Sequence, residues 1–209
     1  MGAVTVVGVD IGQKIDPTAI CVAEIDRRRI QIAGKERTES HFVVRFLQRL
    51  TLGTPYPKVA ERVGEVCTKV QERTGRRPTV YVDATGVGQP VVDLLKARAP
   101  SVLIWSTFFT YGDRRTETRE ERRVSLGKAF LVSRLQALLQ CDRLHLPQNR
   151  ESKALADELL NYEIRVDENA NDRYGAFKVG THDDLVTALG LAVQAEPVVS
   201  VYPRPSDYV

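Results

Sequence analysis

Four aspartates stand where a chain could build a metal site. Asp10 closes the apolar run Val4-Thr5-Val6-Val7-Gly8-Val9, and Asp83 closes Thr79-Val80-Tyr81-Val82. An apolar, β-branched run ending in one acid reads as a buried strand that delivers a carboxylate to its C-terminal end. If two such strands are parallel neighbours, both acids emerge at one edge of the sheet, in the crevice where such sheets bind ligands. Asp183 and Asp184 open the last helical segment, where acids suit the helix dipole and Thr181 is a candidate N-cap. Clustered carboxylates repel one another unless a cation neutralises them. Hard oxygen donors without thiolate company favour Mg²⁺ or Mn²⁺. Two such ions about 3.5–4 Å apart would activate a water and stabilise the leaving oxygen in phosphodiester hydrolysis. Each acid alone reads more simply as a turn former or a helix cap. The order β-acid, β-acid, α-acid-acid is far more specific than its parts. Asp183 and Asp184 point about 100° apart on a 3.6-residue turn, so they cannot face one ion equally, and Asp184 is the favoured ligand.

Several neighbours could support these acids. Gly12 lets the backbone turn away from Asp10 and leaves room for a phosphate beside it. Asp16, in the polar turn 13–17, could reach back to the site, although Asp-Pro is also a turn signal. His182 could orient a ligand or bind phosphate. Gly86, in the tight loop 84–88, either cradles a phosphate or keeps Asp83 uncovered. Arg173 and Lys178 flank a candidate hairpin just before the acidic helix, and Arg114 and Arg115 lie in a charge-rich stretch. These four are the candidate contacts to nucleic-acid phosphates.

The elements that must position the acids follow from the hydrophobic pattern. Strands are expected at 4–10, 18–25 and 30–36, with a turn at Arg27-Arg28-Arg29, as an antiparallel meander. Phe42, Val43, Phe46, Leu47 and Leu50 predict a helix over 41–52. A second helix is expected over 57–74, with Gly75 as its C-cap residue. A strand at 79–82, a helix opened by Pro90 and a strand at 101–106 give an α-β-α-β run whose strands should be parallel. An aromatic loop at 107–112 then leads to a salt-bridged helix start over 113–123 and a long helix over 120–140. An edge segment at 143–147, a helix over 152–160, a hairpin from 162–166 and 174–179, and a last helix over 184–195 complete the pattern. The expected fold class is α/β: a central mixed sheet flanked by helices, with a β-hairpin added before the last helix. Residues 1–196 form one domain, followed by a proline-containing tail at 197–209.

Composition narrows the class. With 209 residues, 43% of them hydrophobic, one ordinary domain with a real core is expected. No apolar run approaches the roughly 20 residues that cross a bilayer, and no signal peptide precedes the first strand, so no membrane partner is expected. Cys21, Cys67 and Cys141 lack CxxC spacing and read as reduced thiols rather than zinc ligands. A net charge of +3 is compatible with nucleic acid without requiring it.

Three segments carry a resemblance. Gly8-Val9-Asp10-Ile11-Gly12, Val82-Asp83-Ala84-Thr85-Gly86-Val87-Gly88 and His182-Asp183-Asp184-Leu185-Val186 resemble the nuclease domain of the bacteriophage terminase large subunit, in the same order over nearly the whole chain. That resemblance implies an RNase H-like fold and a divalent-metal endonuclease that cuts concatemeric double-stranded viral DNA during genome packaging. It makes Asp10, Asp83 and Asp184 metal ligands and Asp183 a second-metal or supporting ligand, with two Mg²⁺ or Mn²⁺ ions as cofactor. It also implies the ATPase domain of the large subunit, the portal protein and the small terminase subunit as partners, in the cytoplasm of the infected bacterial host. The sequence has no Gly-x-x-x-x-Gly-Lys-Ser/Thr, so no ATP site is expected in it, and an excised nuclease domain is the simplest expectation. Alternatives are another RNase H-like nuclease such as a Holliday-junction resolvase, or a non-catalytic DNA- or capsid-interaction module.

Overall fold

The computed structural model describes residues 4–12, 16–86, 88–99, 102–166, 172–175 and 182–194. Eight strands form one mixed sheet in the order β6-β7-β5-β4-β1-β2-β3-β8. Its antiparallel half is the meander β1 (Val4–Asp10), β2 (Ala19–Ile32) and β3 (Lys35–Arg49). Strand β4 (Thr79–Asp83) runs parallel to β1, β5 (Leu103–Thr110) parallel to β4, and β7 (Arg123–Gly127) parallel to β5. Strands β6 (Arg115–Thr118) and β8 (Leu144–His145) close the two edges.

Helices cover both faces. Helices α1 (Tyr56–Thr74) and α2 (Gly88–Arg98) bury Val59, Val63, Val92 and Leu95 against Val7, Val9, Val80 and Val82. On the other face lie α3 (Lys128–Gln140), α4 (Arg150–Asn161) and α5 (Asp184–Val193). They pack Leu131, Leu135, Leu155 and Leu189 over Val6, Cys21, Phe42 and Tyr81. Every residue of α5 is buried, Asp184 and Thr187 included among an otherwise apolar set. Strands β9 (Glu163–Val166) and β10 (Asp172–Gly175) pair antiparallel ahead of α5; β10 starts two residues before the expected strand 174–179, of which 176–179 lie outside the described residues. Among the described residues no helix is long and apolar enough to cross a membrane. Residues 195–209, including the expected tail, and Thr181 lie outside the described residues.

Four segments differ from the sequence expectation. Arg27-Arg28-Arg29 continues β2 instead of turning; the turn is Ala33-Gly34, both with positive φ. Residues 41–49 are strand rather than helix. A bulge between Val22 and Ala23 leaves Arg45 unpaired in β3, so its buried apolar residues run Phe42, Val44, Leu47. That extra residue converts strand alternation into a helix-like spacing of three. The expected helix over 120–140 starts only at Lys128. Before it, Val124 and Leu126 alternate as strand residues, and the charged stretch is the β6-β7 hairpin. Phe108 and Phe109 belong to β5, not to a loop, and lie under Arg123 and Lys128 at 4.3 and 5.5 Å.

Candidate metal centre

Parallel pairing of β1 with β4 ends at Val9 opposite Val82, and one residue later each strand presents its aspartate. Both acids take the α5 face, because Val6 and Tyr81 share the α5 core while Val9 and Val82 belong to the opposite one. Asp10 pairs with Ala19, and Ala19 with Arg49, so Asp10 and Arg49 stand in one row across the sheet. Gly8 decides how near α5 can come. A Cβ at Gly8 would sit 2.0 Å from the Ala188 carbonyl oxygen and 2.6 Å from the Ala192 nitrogen. Bare backbone at this point lets α5 lie directly on β1, with its N-terminal residues at the strand end that carries Asp10.

Asp10, Asp83 and Asp183 line one open cleft of about 870 Å³, together with Gly12, Asp16, Gly86 and Lys128. Residues 53–55, ahead of α1, and Tyr56, its first residue, also line it. Burial, then the Asp83, Asp183 and Asp184 carboxylates, hold the Asp10 carboxyl well above the usual carboxylate range, and Lys128 opposes them. Burial also raises Asp83, against hydrogen bonds from Thr85 and the charge of Lys128. The Asp83 loop is fixed from two sides. Thr85 N donates to Asp83 Oδ1 at 2.8 Å, Phe109 N donates to Thr85 Oγ1 at 2.8 Å, and Ala84 N donates to the Thr107 carbonyl at 2.8 Å.

The two helix acids take different places. Asp183 lines the cleft. Asp184, favoured from the sequence, is buried, is absent from the cleft lining, and accepts Arg49 Nε at 2.7 Å. The Nη2 end of the same guanidinium binds Glu158 Oε1, so Arg49 bridges α5 and α4. Asp184 Oδ1 and His182 Nδ1 lie 4.0 Å apart, both buried and neither with a hydrogen-bond partner among the described residues. Asp16 Oδ1 is 3.8 Å from the same His182 nitrogen, which brings Asp16 and His182 to the rim of the site.

Gly12 is required by the turn that follows Asp10. A Cβ there would meet the chain's own backbone, 2.0 Å from the Asp16 carbonyl oxygen and 2.4 Å from the Pro17 carbonyl carbon. Gly12 N donates to Thr18 Oγ1 at 3.1 Å, which folds Asp16 back over the cleft. Arg115 is drawn into the fold by Glu117 at 2.9 Å and Gln194 at 3.1 Å, and so ties β6 to the end of α5 instead of facing a ligand. Arg114 is exposed beside it. The Arg173 backbone lies in β10, and Lys178 is outside the described residues. Lys128, Arg49 and Glu158 escaped the sequence reading. Lys128 and Arg49 fell inside helices that do not exist as expected, and Glu158 carried no signal beyond one acid on an amphipathic helix.

Among the described residues no group of three His, Cys, Asp or Glu side chains is already arranged as a ligand shell. The donor chemistry nonetheless fits a divalent cation: hard carboxylate oxygens, an acid raised by burial and by three like charges, and a buried Asp184 oxygen with no hydrogen-bond partner among the described residues.

No family profile and no curated protein sequence matches the chain. Solved structures match it over nearly its whole length and give it the RNase H-like fold of viral nucleases. More narrowly, the fold is that of terminase nuclease domains. The large terminase nuclease of thermophilic phage G20c aligns with a TM-score of 0.63 over 93% of this chain and 83% of its own, at 20% identity. The manganese-soaked human cytomegalovirus terminase nuclease domain aligns at 0.58 over 96% and 87%, at 11% identity. The large terminase nuclease domain of bacteriophage SPP1, with bound manganese, aligns at 0.53 over 90% and 84%, at 14% identity.

Proposed function

We propose that the chain is a divalent-metal-dependent endonuclease acting on double-stranded DNA during viral genome packaging: the nuclease part of a terminase large subunit. The observation that carries this reading is the convergence of Asp10, Asp83 and Asp183 in one open cleft, on the fold of terminase nucleases. Cations bound to the nuclease domains of phage G20c and bacteriophage SPP1, magnesium and manganese respectively, support the choice of metal.

Asp10, Asp83 and Asp183 would hold the first cation, and Asp184, through its unpartnered oxygen, would serve a second. Bound there, Mg²⁺ or Mn²⁺ supplies the charge that polarises a phosphodiester and acidifies an attacking water. The protein does the rest. Asp10 feels the charges of Asp83 and of both Asp183 and Asp184, so it is the residue that would be shared between the ions. Lys128 presents an ammonium group at the same cleft, where it contacts the anionic phosphate and offsets the repulsion among the acids. Arg114, Arg173 and Lys178 track the flanking duplex through its phosphates. Asp16 and His182 orient groups at the rim. Residues 1–196 make up the nuclease and 197–209 its tail. The ATPase domain, portal and small subunit are the proposed partners, and the infected host cytoplasm the proposed place of action. The chain spans 40% of the HK97 bacteriophage large terminase, consistent with one domain of such a subunit.

Plasmid cleavage with Mn²⁺ and with chelator, on wild type, Asp10→Ala, Asp183→Asn and Asp184→Asn, tests the reading. Cleavage should require the metal and vanish in Asp10→Ala, with the circular dichroism spectrum unchanged. Undiminished cleavage by Asp10→Ala would sink the assignment. Symmetric cutting of four-way junctions in preference to linear duplex would favour a resolvase instead.

A further inference from the structure

An aspartate at the N-cap ordinarily spends its carboxylate on its own helix, accepting from the backbone N–H groups of the second and third helical residues. Asp183 holds the N-cap position of α5, yet its side chain makes no cap hydrogen bond. The two N–H groups it would serve belong to Leu185 and Val186. Both donate to a single oxygen of Glu158 on the neighbouring helix α4, at 3.0 and 3.1 Å. Glu158 is buried, and its other oxygen binds Arg49, which in turn holds Asp184.

We propose that Glu158 caps α5 from outside the helix and thereby releases Asp183 for the cleft; it is a positioning residue for the metal centre. The inference rests on the nuclease reading for its consequence, but its structural half stands alone. An exposed helix start meets its orphan donors with water or with its own cap. This one is buried, so an acceptor must come from protein. Were that acceptor Asp183, the site would lose the only α5 acid that faces the cleft. Arg49 completes the device. Its planar fork places one nitrogen on Glu158 and one on Asp184, which neutralises the carboxylate that does the capping and fixes α4 relative to α5.

Three variants test this by calorimetric Mn²⁺ titration and by crystal structures in chelator. Glu158→Ala leaves the Leu185 and Val186 donors orphaned, so Asp183 should swing onto them. Mn²⁺ affinity should then fall by about 10- to 100-fold, as for other groups that orient metal ligands. Glu158→Gln removes the same charge but keeps an acceptor oxygen, so it should hold Asp183 in the cleft and recover most of that loss. Asp183→Ala in the wild-type background removes no cap, so its melting temperature in chelator should not fall.

Wild-type Mn²⁺ affinity in Glu158→Ala, or an Asp183 that stays in the cleft of that variant, overturns the proposal. Glu158→Gln binding as weakly as Glu158→Ala overturns it too, because charge rather than capping would then be at work. If Glu158→Ala does not fold, a lower melting temperature for Asp183→Ala overturns it, since Asp183 would already be capping. If the wild type binds no Mn²⁺, the nuclease reading fails, while the position of Asp183 in Glu158→Ala still decides the capping role.

Discussion

Gly8 offers a test of whether the contact of α5 with β1, more than the acids themselves, sets the site. An added Cβ would stand 2.0 Å from the Ala188 carbonyl oxygen, whereas real Cβ contacts essentially never fall below 3.0 Å. The obstacle is helix backbone, which cannot rotate aside as a side chain could. In Gly8→Ala, therefore, α5 must retreat by about 1 Å, the difference between those two distances. Overpacking of this kind costs about 1–3 kcal/mol. At about 2–4 °C per kcal/mol for a domain of this size, the melting temperature should drop by about 2–12 °C. The protein should remain folded in an assay run well below that reduced melting temperature. Its chemistry should suffer more than its stability, because α5 carries Asp183 and Asp184 while β1 carries Asp10, two residues beyond the substitution. A displacement of about 1 Å between reacting groups can cost about 100-fold in rate.

The assay is Mn²⁺-dependent plasmid nicking well below the onset of melting, paired with thermal denaturation in chelator. Leu95→Ala is the control. It empties a fully buried site on the opposite face and should cost about 2–5 kcal/mol while leaving the nicking rate of folded protein near wild type. If Gly8→Ala nicks at the wild-type rate despite a lower melting temperature, the spacing between helix and strand does not govern the site.

The electrostatics predict two further outcomes. Asp10 titrates well above its ordinary value of 3.8, so the native state binds its proton more tightly than the unfolded chain does. The stability this contributes is complete below about that pH and is lost as pH rises through the folded pKa. In chelator, Asp10→Asn should therefore melt higher than wild type at neutral pH, the gap closing in acid; Mn²⁺ should raise the melting point of wild type only, and a neutral-pH gap of zero would refute the buried-charge account. Lys128→Met removes the cation that lowers both Asp10 and Asp83, so the acid limb of the activity profile should move to higher pH. If Lys128 also contacts phosphate, the log–log salt slope of DNA binding should shrink by about one; an unchanged limb and slope would remove it from the site.

The strand-end acids were legible because their signal is local. An apolar β-branched run that stops at one carboxylate says strand and says which end, and β1 and β4 formed as those runs imply. Their adjacency was a condition of that reading rather than a result of it, and the parallel pairing of β1 with β4 meets it. Which of Asp183 and Asp184 lines the cleft was not legible. It depends on Arg49 and Glu158, one on a strand and one on a helix, 109 residues apart in sequence. No local pattern links them. At Gly12 the atoms that forbid a side chain belong to its own loop, a tight turn that the sequence reading expected without naming its partners.

The error at residues 41–52 and the blindness to Arg49 have one cause. Phe42 and Val44 face α5, and plain alternation would put every even-numbered residue of β3 on that face and Arg49 on the other. The bulge at Arg45 adds one residue to β3, so parity reverses beyond it: Phe46 joins the α1 side and Leu47 the α5 side. Arg49, paired with Ala19, therefore rises beside Asp10 toward α5. The irregularity that disguised the strand as a helix is the one that turns the guanidinium toward Asp184 and Glu158. A strand without the bulge would have been easier to recognise, but it would have pointed Arg49 at α1 and left both buried carboxylates without their cation.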